Sequence, residues 1–66
     1  MIKVDKNFIS LKVNKHYWYD ILIKECQNIE DQRIWLHQIQ EKKWITTTQF
    51  NSVCKEFFNI LRDKIR

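Results

Sequence analysis

Four side chains in this sequence could ligate a soft metal or pair as nucleophile and base: His16, Cys26, His37 and Cys54. They are separated by 9, 10 and 16 intervening residues. Zinc modules nucleate on a close pair, C-x2-4-C or H-x3-5-H, and neither spacing occurs here. Both cysteines fall on apolar stripes, where a free thiol packs as a small hydrophobe. No metal and no cofactor is expected. Cys–His catalysis also needs an oxyanion site, and a chain without Gly or Pro, and without Ala, has no Gly-rich loop to build one. Glu30 and Asp31 are adjacent, so on a helix they diverge by about 100° and cannot act as an acid–base pair. They suit the positive end of a helix dipole instead. With 66 residues there is too little scaffold for a deep pocket, so neither an autonomous enzyme nor a small-molecule substrate is expected.

Charge points to a different chemistry. Residues 1–15 carry four lysines and one aspartate, net +3. Residues 16–41 are net −3, and residues 42–66 are net +4. Toward the C-terminus, Thr48, Asn51, Lys55, Asn59, Arg62 and Arg66 fall on one side of a helix at about 100° per residue. Such a stripe contacts phosphates and base edges. Trp44 follows Lys42 and Lys43 directly, and an aromatic beside cations is an arrangement that stacks an unpaired base. The expected nucleic-acid surface is therefore Lys42, Lys43, Trp44, Asn51, Lys55, Asn59, Arg62 and Arg66. The competing readings are a solvated helix face for the stripe and a core lid for Trp44.

These residues need elements to hold them. Ile2 and Val4, then Ile9, Leu11 and Val13, alternate with polar residues, which predicts a β-hairpin or extended arm over 1–14. Asp5-Lys6-Asn7 supplies the turn, with Asn7 as its left-handed residue. Asn14 suits an N-cap, and Tyr17, Trp18, Ile21, Leu22, Cys26 and Ile29 recur at helical spacing, which predicts a first helix over 15–28. Its apolar arc is wide, with Glu25 inside it. Asn28, followed by Glu30 and Asp31, predicts a break and a second helix over 29–43; one helix through 15–43 is the alternative. Thr46-Thr47-Thr48-Gln49 fits a capping box, and Ile45 with Phe50 fits a hydrophobic staple. The third helix then runs over 47–65, with Phe50, Val53, Cys54, Phe57, Phe58, Leu61 and Ile65 as its apolar stripe. The expected fold is mainly α, a single small domain of two or three helices with an N-terminal hairpin or arm. Tyr19, Ile23 and Ile34 lie off the main stripes, so they are the expected contacts to a larger protein partner or a second copy.

Residues 35–61, with Trp35-Leu36 and the corner Trp44-Ile45-Thr46-x-x-Gln49-Phe50, resemble the helical hairpins with an L-T-x-x-Q corner found in phage and mobile-element replication proteins. Ile45 stands where that corner has Leu. The resemblance implies a helical-hairpin adaptor near DNA transactions and carries over no functional residue. The A/T-rich codon usage implied by abundant Lys, Ile and Asn fits such a source. No apolar run reaches the ~20 residues of a membrane span and no signal segment is visible, so a cytoplasmic protein with reduced thiols is expected. The function expected from these readings is a small basic accessory protein that binds nucleic acid, single strands rather than duplex. A protein-binding adaptor or inhibitor is the alternative.

Overall fold

The computed structural model describes residues 1–65. It contains a three-stranded antiparallel sheet followed by two helices: β1 (Ile2–Val4), β2 (Phe8–Asn14), β3 (Tyr17–Leu22), α1 (Ile29–Gln40) and α2 (Thr47–Ile65). The sheet order is β1-β2-β3. The protein is therefore α+β, which corrects the expectation of a mainly α fold of two or three helices.

The correction lies in residues 15–28. They form β3 and a single 3-10 turn over Ile23–Glu25, with no first helix. Tyr17-Trp18-Tyr19-Asp20-Ile21-Leu22 satisfies both periods, because apolar residues adjacent in pairs four apart also leave alternate residues apolar. Aromatic and β-branched side chains favour the strand, and pairing with β2 decides it: Ile9 faces Ile21, Leu11 faces Tyr19 and Lys12 faces Trp18. Asn14 does not cap a helix. Its Oδ1 accepts from the His16 N–H at 2.8 Å, which closes the tight turn between β2 and β3. A side-chain acceptor reaching two residues forward serves an Asx-turn as well as a helix cap. A register shift between Lys12 and Asn14 makes a bulge beside this turn.

The hairpin of β1 and β2 turns without a left-handed residue, so Asn7 does not take that role. No described residue has positive φ. Asp5 builds the turn instead: its Oδ1 accepts from Asn7 N–H at 2.7 Å and Phe8 N–H at 2.8 Å. Glu25 is exposed and so lies outside any apolar arc.

The helix starts are set by side-chain caps. Asn28 Oδ1 accepts from the Asp31 N–H at 2.9 Å at the head of α1. That helix ends at Gln40, three residues short of the expected 43. The Glu41 and Lys42 N–H groups bond back to Gln38 and Ile39 carbonyls, a tightening that closes the helix and frees Lys42 and Lys43 for the corner. At the head of α2 the capping box is reciprocal. Gln49 N–H donates to Thr46 Oγ1 at 3.0 Å, and Thr46 N–H donates to Gln49 Oε1 at 3.1 Å.

The core lies between the two layers. Ile9, Leu11 and Ile21 from the sheet meet Cys26, Ile39 from α1, and Val53 and Phe57 from α2. Two buried amides fasten the structure, Gln49 joining α2 to the sheet and Gln32 joining α1 to α2 and the connector before it. Gln49 Nε2 donates to the Lys12 carbonyl at 2.9 Å and to that of Met1 at 3.3 Å. Gln32 Nε2 donates to the carbonyls of Cys26 and Phe57 at 2.9 and 3.1 Å. Among the described residues no buried side-chain polar atom lacks a partner. No described helix is long and apolar enough to cross a membrane.

Candidate nucleic-acid interface

The expected site divides into a part that the fold presents outward and a part that it folds in. On α2 the buried positions are Gln49, Val53 and Phe57, with Ile60 packed beside them. At about 100° per residue, Asn51, Lys55 and Arg62 lie on the opposite side, and all three are exposed. Asn59 is half-buried at the margin of that face. Arg62 Nε stands 3.9 Å from Asp63 Oδ1 with both groups in solvent, a contact too weak to occupy the guanidinium. Arg66 lies outside the described residues.

The corner behaves differently. Trp44 is half-buried against the core, its ring centroid 5.4 Å from that of Tyr19. Trp35 meets the same Tyr19 ring edge-on at 6.3 Å. Trp44 therefore packs as a lid on the core, with its ring set against Tyr19. Lys42 places its ammonium 5.6 Å from the Tyr19 ring centroid, which holds it by cation–π attraction at the edge of this aromatic cluster. Lys43 is exposed.

Tyr19 and Ile23 were expected at a partner surface. Both instead pack against the core, Tyr19 as the inward residue of β3 opposite Leu11. Burial raises the Tyr19 phenol above its ordinary value, with the neighbouring Tyr17 adding to the rise. Ile34 remains exposed, 57% of its surface open on the side of α1 away from the core.

One residue changes sides in the other direction. Phe58 belongs to the apolar stripe by spacing, yet 63% of it is exposed. It stands three residues after Lys55 and four before Arg62, so one outward face carries an aromatic ring between two cations. The signal was present in the width of the stripe. Counted at about 100° per residue, the apolar positions of α2 span about half the helix, more than one sheet and one short helix can cover.

The soft ligands do not converge. Among the described residues no three His, Cys, Asp or Glu side chains are placed to hold a metal ion. Cys26 is fully buried and Cys54 half-buried, both as free thiols. Burial pushes the Cys26 thiol up to about 11, with the negative charges of Glu25 and Asp31 adding to it. Burial also raises Cys54. Neither is poised as a nucleophile. Comparison of the chain with protein-family models, curated proteins and solved structures gave no match.

Proposed function

We propose that this chain is a small basic accessory protein that binds single-stranded nucleic acid through the outward face of α2. The observation that carries the reading is the exposed Phe58 ring set between Lys55 and Arg62, with Asn51 one turn before Lys55 on the same face. A base stacks on the ring while the two cations take the flanking phosphates, a contact that tolerates any sequence. The ring replaces Trp44 in the role that sequence spacing assigned to it. Two or three phosphate contacts give weak affinity alone, so the protein acts alongside a larger replication or mobile-element enzyme, as the resemblance of residues 35–61 implies. The helical hairpin of α1 and α2 fits that resemblance. The free thiols fit a cytoplasmic setting. Fluorescence anisotropy with a labelled oligonucleotide tests the reading. Phe58→Ala should weaken binding by ~1–3 kcal/mol with an unchanged circular dichroism spectrum, and unaltered affinity would remove the stacking role.

A protein-binding adaptor is the second reading, favoured by exposed Ile34 and by Ile29, which is 61% exposed. These two lie about 140° apart around α1, so they do not form one continuous patch. A concentration-dependent dimer in sedimentation whose assembly is lost in Ile34→Ser would favour this reading.

A further inference from the structure

The sheet has two faces and the helices cover only one. Ile9, Leu11, Tyr19 and Ile21 turn inward to the core. By alternation, Lys3 from β1, Ser10 and Lys12 from β2, and Trp18 and Asp20 from β3 turn outward. Trp18 stands directly across from Lys12 and is not among the residues packed on the core. Lys3 reaches across the middle strand to set its ammonium 4.6 Å from the Trp18 ring centroid. An indole thus lies on an open sheet face with a lysine over it and a second lysine beside it. Lys15, in the turn after β2, adds positive charge at the rim, while Lys6 in the turn before β2 is balanced by the neighbouring Asp5.

We propose that this open face is a second surface for single-stranded nucleic acid, on which Trp18 receives a base while Lys3 and Lys12 hold the adjoining phosphates. Charge complementarity selects a polyanion. The indole selects a strand with unpaired bases over a bare anionic surface, because every base has a π face to offer. Trp18 is half-buried, with Lys3 over its ring. A cation over a ring at the protein surface is a weak contact, and the flexible lysine stem lets the ammonium move from ring to phosphate when a base arrives. Asp20 is the only acid on this face among the described residues. Its Oδ1 accepts from the Ser10 hydroxyl at 2.6 Å, and its charge confines the phosphates to the Lys3–Lys12 side.

The surface shares a ligand class with the α2 stripe but lies across the core from it, so the two stand or fall separately. Binding of a fluorescein-labelled poly-dT oligonucleotide is measured by anisotropy for the parent, K3E/K12E, D20N and K55E/R62E, with folding checked by circular dichroism. K3E/K12E should bind at least about tenfold more weakly at low salt. D20N keeps an acceptor for Ser10 and removes a negative charge, so it should bind about two- to threefold more tightly. Oligonucleotide should quench tryptophan fluorescence in the parent and not in W18F, because Trp35 and Trp44 face Tyr19 on the inner side. K3E/K12E binding like the parent overturns the proposal, as does a parent that does not bind. If K3E/K12E does not fold, unchanged affinity in D20N overturns it. Loss in K55E/R62E alone leaves the α2 reading standing without this one, and loss in K3E/K12E alone does the reverse.

Discussion

Replacing Gln49 tests how the helical layer is fastened to the sheet. The side chain is 4% exposed and uses both ends of its amide. Oε1 accepts from the Thr46 N–H, and Nε2 donates to the carbonyls of Lys12 and Met1. These partners fix the amide orientation, since a flip would set its NH2 against a donor and its oxygen against two acceptors. In Gln49→Ala the Thr46 N–H loses an acceptor, worth about 0.5–1.5 kcal/mol. The Lys12 carbonyl loses its donor in a half-buried setting, worth about 1–3 kcal/mol, while Met1 is exposed and recovers water. The expected loss is roughly 2–4 kcal/mol, which in a domain of this size lowers Tm by about 15–30 °C. Gln49→Glu separates the two roles. Ionised, it keeps the cap acceptor but places an oxygen against two carbonyls. Protonated, it can donate to Lys12 again. The folded-state pKa of this Glu is therefore raised. Gln49→Glu should lie nearest the parent below pH ~4.3, the ordinary value, and lose stability as pH rises above it. Urea denaturation followed by circular dichroism reads both variants. Gln49→Ala within about 0.5 kcal/mol of the parent would refute the assignment of Gln49 as the tie between layers.

Two further perturbations probe the core. The raised Cys26 thiol stays protonated in the folded chain while the unfolded chain ionises from about pH 9, so folding stability should fall between about pH 9 and 11 at up to about 1.4 kcal/mol per pH unit; the comparison of Cys26→Ala with the parent isolates this slope, and parallel pH profiles would contradict it. Trp44→Ala should cost about 2–3 kcal/mol of stability by unseating the ring from Tyr19, and at a temperature where the variant is folded it should bind oligonucleotide like the parent; stable but non-binding Trp44→Ala would restore the stacking role to this residue.

The parts of the fold legible in the sequence are those decided within a few residues. The Thr46–Gln49 box and the Asn28 cap are local hydrogen bonds, and β1 and β2 show a plain alternation. Residues 17–22 were illegible because their pattern satisfies both periods, and the deciding term is pairing with β2, which no local window contains. Asn14 compounded the ambiguity, since the same side-chain bond opens a helix or closes a turn. Errors at the candidate site followed from that one element. Trp44 reads as either a stacking ring or a core lid until β3 places Tyr19 beneath it. Trp18 reads as core until the strand register turns it outward to meet Lys12 and Lys3. The Lys55 and Arg62 positions were legible because helical spacing alone puts them opposite Val53 and Phe57. Phe58 was legible only as an excess, an apolar arc too wide for the surface available to cover it.

The central functional claim is that the Lys55–Phe58–Arg62 face of α2 grips the phosphates of a single strand. The salt dependence of oligonucleotide binding, measured by anisotropy for the parent and for Lys55→Glu with Arg62→Glu, tests it most directly. Each single-strand phosphate contact contributes about −0.7 to the log–log slope. Losing both cations should therefore make the slope shallower by about 1.4 and weaken binding at low salt, with the fold intact because both side chains are in solvent. An unchanged slope and affinity in the folded double variant would show that this face is only solvated charge.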